Sequence, residues 1–166
     1  MIIPELLAPA GSIEAFSAAF DAGADAFYLG FGKFNARMRA KNFSDEELRF
    51  AISYARKNGK KVYIALNTLI FDSEIKELLN ILETISEVRA DAVIVQDLGA
   101  LSIIRKYYPE LTIHASTQMF CHNSLCAEFL KRNGVKRIIL PRELTLEEIS
   151  SIIKKVPLEY EVFIHG

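Results

Sequence analysis

Arg37 and Arg39 stand two residues apart in a stretch that also carries Lys33 and Lys41. In extended backbone, residues i and i+2 face the same way. Two guanidiniums on one side can clamp a carboxylate or a phosphate bidentately; the competing reading is a solvated basic loop. His114 and His165 each close an apolar run. Either could move protons near neutral pH, or line a wall and bond to a neighbour. Glu143 is a third candidate for acid–base work, and with adjacent Arg142 it could form one wall of a site. Asn67, Gln96 and Gln118 are neutral donors and acceptors of the kind that orient a ligand. Ser116 and Thr117 become nucleophiles only with a base beside them, and no protease signature surrounds them. Asp97 and Ser12 read most simply as helix N-caps.

What unites these residues is their place in a repeat. Short, nearly unbroken apolar runs occur at about 5–8, 25–29, 62–66, 91–95, 112–115, 135–140 and 160–164. Such runs suit strands buried on both faces, as parallel strands are. Amphipathic segments lie between them, at about 12–22, 45–58, 73–88, 99–108, 123–133 and 145–156. Ser44-Asp45-Glu46-Glu47 reads as a capping box, and Thr145 opens a similarly acidic first turn. Gly23 and Gly134 stand where a helix C-cap needs a left-handed residue. Strand and helix alternate throughout, which predicts a parallel β/α barrel of the TIM type. A closed barrel has eight strands and roughly 250 residues. Here seven strands and six helices are expected in 166 residues. The expectation is therefore one domain over 1–166, the amino-terminal portion of a barrel incomplete at its carboxyl end. In that fold the functional loops follow the carboxyl ends of the strands. The candidate residues collect there: the two arginines after the second strand, Asn67 after the third, Gln96 after the fourth. His114 and Gln118 belong to the fifth, Arg142 and Glu143 to the sixth, and His165 to the seventh.

Composition narrows the classes. Hydrophobic residues make up 51% of the chain, enough for a substantial core, and the formal net charge is −1. Such a balance exerts no global pull on nucleic acid or anionic membrane, so binding of either kind needs a local basic patch. No apolar run approaches a membrane span, and Met1-Ile2-Ile3-Pro4 lacks the features of a signal peptide. A cytoplasmic location with no membrane partner is expected. Cys121 and Cys126 make no disulfide framework. With His122 they lack a fourth ligand and a familiar zinc spacing, so they read as structural cysteines and no metal site is expected.

Several stretches, taken in order, resemble one family. They are Glu5-Leu6-Leu7-Ala8-Pro9-Ala10-Gly11, Gly23-Ala24-Asp25-Ala26-Phe27-Tyr28-Leu29-Gly30, Leu66-Asn67-Thr68, Asp97-Leu98-Gly99, His114-Ala115-Ser116-Thr117-Gln118, Arg142 to Ile149, and Val162-Phe163-Ile164-His165-Gly166. Together they look like the amino-terminal part of the collagenase-like peptidases, unassigned peptidase family thirty-two. The resemblance covers the whole chain.

It implies several functions. The family carries a label as proteases. It also includes proteins for hydroxylation of tRNA uridine, of a ribosomal RNA cytidine, and of ubiquinone precursors. Those members are associated with an iron–sulfur cluster, and the tRNA branch with prephenate as hydroxyl donor. Iron–sulfur-dependent hydroxylation of RNA is the leading expectation. A peptidase, or a non-catalytic barrel module binding a small ligand or RNA, are the alternatives. The family pattern places the cluster cysteines after the His-Gly pair, so the ligands are not in these 166 residues. These residues alone are then expected to carry no hydroxylation activity. RNA and a prephenate-like carboxylate are the expected partners, with a homodimer through the open barrel edge.

Overall fold

The computed structural model describes residues 3–36 and 42–165. Seven strands form one parallel sheet whose spatial order equals chain order. They are β1 (Leu7–Ala10), β2 (Ala26–Gly30), β3 (Lys61–Leu66), β4 (Ala92–Val95), β5 (Ile113–Ala115), β6 (Val135–Ile139) and β7 (Glu159–Glu161). Six helices connect them: α1 (Ile13–Asp21), α2 (Asp45–Lys57), α3 (Ile75–Glu87), α4 (Leu98–Tyr107), α5 (Ser124–Arg132) and α6 (Leu146–Lys155). This is the expected incomplete β/α barrel.

Period-two alternation sorts each strand between two cores. In β3, Val62, Ile64 and Leu66 face the helices and join the large sheet–helix core. Tyr63 faces the lumen, where it packs with Ala26, Ala92, Ile94 and Ile139. Both sides of the strand are apolar because both are covered, which is why these runs show no polar alternation.

The chemistry at the helix ends follows the sequence. Ser44 and Glu47 complete a capping box on α2, as Thr145 and Glu148 do on α6. Asp97 caps α4 by accepting the Ala100 N–H at 2.8 Å. Gly23 and Gly134 have φ of 92° and 84°, the left-handed conformation a helix exit demands.

Two strands depart from expectation at their ends. β1 begins at Leu7, where pairing with Ala26 starts, and runs through Pro9. A proline is tolerated there because β1 is an edge of the sheet. β7 stops at Glu161, although the apolar run continues to Ile164. Its neighbour β6 ends at Ile139, and the Leu140 N–H to the Glu161 carbonyl closes the ladder at 2.9 Å. Val162 and Ile164 are consequently 49% and 82% exposed. Among the described residues no helix is long and apolar enough to cross a membrane.

Candidate functional site

The carboxyl ends of the strands open into a cavity of about 290 Å³. Lumen-facing Ala65, Ile94 and Ile139 give it an apolar floor. Its walls are polar and come from the loops that follow the strands. Asn35 and Asn42 follow β2, Asn67 follows β3, and Ser116, Thr117 and Gln118 follow β5. Arg142 follows β6, while Glu161 and Phe163 come from the end of β7. An apolar floor with a few convergent polar groups is the usual make-up of a small-ligand site.

Carboxamides hold the described ends of the long loop after β2 in place. Asn35 is 2% exposed, and its Nδ2 donates to the Gly32 carbonyl at 3.2 Å and to Asn42 Oδ1 at 3.0 Å. Asn42 Nδ2 donates to the same carbonyl at 2.9 Å. Asn67 Oδ1 accepts the Ala36 N–H at 3.0 Å, tying the loop to the end of β3. The absence of a side chain at Gly30 makes this possible, since a Cβ there would lie 2.7 Å from Asn35 Cγ. Arg37 and Arg39, with Lys41, lie outside the described residues. The residues that flank them, Ala36 and Asn42, both line the cavity. Lys33 is turned to α3 and its approach, with Nζ 2.8 Å from Glu74 and 3.3 Å from Glu77.

Beneath the cavity the lumen holds charge. Glu5 accepts from Tyr63 Oη at 2.6 Å, Lys61 Nζ at 2.8 Å and Arg137 Nη1 at 2.7 Å. Burial works to raise the Glu5 carboxyl, but these three donors overcome it and hold its pKa down to about 2. Burial, then the bond to Glu5, push the Tyr63 phenol above its ordinary range. Arg137 also donates to Glu159 from Nε and Nη2, at 3.0 and 2.8 Å. Its guanidinium lies 5.3 Å from the Tyr63 ring centre, within cation–π range. Glu161 Oε2 is buried and forms an ion pair with Arg137, 3.6 Å from Nη1. Burial raises the Glu161 carboxyl, and Arg137 only partly opposes it.

The expected site residues divide between these layers. Asn67, Gln118 and Arg142 line the cavity. His114 points into the lumen from β5, 3% exposed, with its ring edge against Tyr63 at a centroid distance of 4.7 Å. Burial, reinforced by the Arg137 charge, pulls its pKa down to about 3, so the imidazole is neutral at physiological pH. Its Nδ1 is buried without a hydrogen-bond partner among the described residues. Gln96 follows β4 and is half-buried. Arg142 stacks over the Phe163 ring at 4.2 Å, while Glu143 is 71% exposed and sits 3.9 Å from His122 Nε2. His165 is exposed. Sequence reasoning did not single out Asn42 or Glu161. A signal existed for the last: Glu159 and Glu161 repeat at period two within an otherwise apolar strand, and that spacing puts both on one face.

The cysteines form no cluster site. Cys121 is fully buried in the sheet–helix core, where burial and then neighbouring Cys126 push its thiol up to about 12. A four-thiolate cluster has no fit to these two residues. Among the described residues no group of three or more His, Cys, Asp and Glu could hold a metal ion.

Comparison with known proteins adds a second kind of observation. The family model described as peptidase family U32 matches residues 11–166. The chain is 43% identical over 171 aligned positions to an uncharacterized protease of Methanocaldococcus jannaschii, covering 100% of this chain and 41% of that protein. It is 38% identical over 167 positions to the tRNA hydroxylation protein P of Escherichia coli, covering 100% of this chain and 37% of that protein. The chain thus spans about two fifths of the length of these relatives. The solved structure of a U32 peptidase superimposes with a TM-score of 0.77 at 16% identity, over 96% of this chain and 68% of that one. At that identity the likeness bears on fold alone.

Proposed function

The chain belongs to peptidase family U32, and we propose that its barrel mouth receives a single nucleotide of an RNA that the whole protein hydroxylates. The observation that carries this reading is the polar wall of the mouth. Carboxamides and hydroxyls from three loops surround an apolar floor, in a volume of about 290 Å³. Small-ligand pockets run from about 300 to 1,000 Å³, so this one suits one compact molecule. Unstacked RNA bases are read through hydrogen bonds on their edges and stacking on flat side chains. Asn67 and Gln118 supply edge partners, and Phe163 under Arg142 supplies a face with a phosphate-binding cation. Arg37 and Arg39 add a basic pair between two residues of the cavity wall, suited to an RNA phosphate or to a dicarboxylate such as prephenate. The similarity to a tRNA hydroxylation protein points the same way. A cytoplasmic location follows from an RNA substrate.

The iron–sulfur cluster of the family pattern would take its thiolates from outside residues 1–166, because Cys121 and Cys126 do not suit it. The contribution of these residues is binding and orientation. Peptide hydrolysis would need a nucleophile beside a base, and the Ser116 hydroxyl is instead buried and accepts the Gln118 N–H at 3.2 Å.

The test is mass spectrometry of nucleosides from total RNA, with the full gene present and deleted. The expected result is loss of one nucleoside carrying an added oxygen atom, restored by the full gene. An unchanged nucleoside profile rejects the reading.

A further inference from the structure

Among the described residues two other than glycine take the left-handed conformation, Arg89 at φ 57° and Phe120 at φ 52°. Arg89 follows α3 at a helix exit, where Gly23 and Gly134 stand after α1 and α5. Phe120 instead ends a short 3-10 turn, Thr117–Met119, in the loop after β5. That conformation is disfavoured for a bulky residue, and glycine would meet it without strain. Packing does not call for the ring either, since Phe120 is 64% exposed. Both of its backbone groups are nevertheless fixed. Its N–H donates to the Thr117 carbonyl at 3.0 Å, and His122 Nδ1 donates to its carbonyl at 2.8 Å. The loop thus holds an aromatic ring out to solvent in a strained conformation, and such outliers gather where ligands are clamped.

The ring stands at the rim of the mouth. Thr117 and Gln118, from the same turn, line the cavity. The His122 ring lies parallel to that of Phe120 within 6°, with centroids 6.3 Å apart. His122 Nε2 is 3.9 Å from Glu143, whose chain neighbour Arg142 also lines the cavity. Two flat rings of one orientation therefore adjoin the loop that carries the guanidinium of the mouth. We propose that Phe120, backed by His122, is a stacking platform for the base that neighbours the nucleotide in the mouth. This deepens, and rests on, the reading of the mouth as a nucleotide site. Stacking asks only for a π face, so the platform takes any base and adds affinity without sequence preference. Arg142 is suited to the phosphate that joins the two nucleotides.

The experiment is calorimetric and NMR titration of the chain with the four ribonucleoside 5′-monophosphates and with the four RNA homotrinucleotides. Mononucleotides should shift the amides of Asn67, Ser116 and Gln118 whatever residue stands at 120. Trinucleotides should bind the wild-type chain about tenfold more tightly than the matching mononucleotides, the effect of one stacked base. Phe120→Leu, apolar but not flat, should lose most of that gain, and Phe120→Tyr should keep it. Phe120→Gly should lose it too while melting no lower than wild type, because glycine accepts the left-handed backbone. No gain in the wild-type chain, or a gain that survives in Phe120→Leu and Phe120→Gly, overturns the platform and leaves the nucleotide site standing. Weaker self-association of Phe120→Gly with an unchanged trinucleotide gain would mark the ring as a protein contact and overturn it equally. If no nucleotide shifts the mouth amides, the nucleotide reading fails, and the platform with it.

Discussion

Arg137 donates to Glu5 at 2.7 Å, joining β6 to the segment that leads into β1 across 132 residues of chain. The arginine side chain is 11% exposed and the glutamate 20%, so solvent screens the pair weakly. Removing one member leaves the other charge buried and uncompensated. Arg137→Leu is expected to destabilise the fold by about 3 kcal/mol, measured by urea unfolding at neutral pH. A loss below about 0.5 kcal/mol would show the lumen to be well hydrated.

Glu5 and His114 together set the response to acid. The Glu5 carboxyl falls from 4.5 to about 2 on folding, so its contribution is present above pH 4.5 and lost toward pH 2. His114 falls from 6.5 to about 3, because burial disfavours the imidazolium. Below pH 6.5 the unfolded chain therefore binds the extra proton, and stability declines toward pH 3. His114→Phe keeps an aromatic ring against Tyr63 and removes the titrating group. It should flatten the stability curve between pH 6.5 and 4.5 and lessen, without abolishing, the decline below 4.5, where Glu5 also titrates. Thermal melts over that range check this; an unchanged slope would assign the decline to other groups.

Gly30→Ala should damage the mouth selectively. The new methyl group would lie 2.7 Å from the buried Asn35 side chain, which must move and take the Gly32 and Asn42 bonds with it. Overpacking of this kind costs about 1–3 kcal/mol. Nucleotide binding at the mouth should weaken by more than about tenfold, because the Asn35 wall is displaced. The paired measurement is a melting curve and a uridine 5′-monophosphate titration.

The two sheet edges carry exposed apolar residues: Leu6 at 45%, Val162 at 49% and Ile164 at 82%. Unpaired strand edges of this composition invite pairing with another chain. Sedimentation of the 166-residue chain should show self-association that rises with concentration. The double change Leu6→Lys and Val162→Lys should suppress it. A monomer at all concentrations would show that the edges are protected.

Much of the fold was legible because each unit is local. Apolar runs with glycine or capped helices at their borders located every strand and helix within a few residues. The ends of β1 and β7 were harder, since apolarity marks burial while pairing depends on how far the neighbouring strand extends. In the candidate site, Asn67, Gln118 and Arg142 could be placed from their positions after strands. The lumen network could not. Tyr63 and Glu5 are 58 residues apart, and only barrel curvature brings them together. Glu161 was obscured because a glutamate in a strand usually marks a solvated face, whereas here it turns inward toward Arg137.

Because strand order in space repeats strand order along the chain, the sheet has one growing edge. Each new β/α unit emerging from the ribosome can dock on the unit made just before it, with no gap reserved for a later insertion. Assembly during synthesis then proceeds stepwise from the amino end, as domains folding on the ribosome do. Glu5 can meet Lys61 and Tyr63 as soon as β3 docks, whereas its bond to Arg137 waits for β6, so early intermediates hold that carboxylate with two of its three donors.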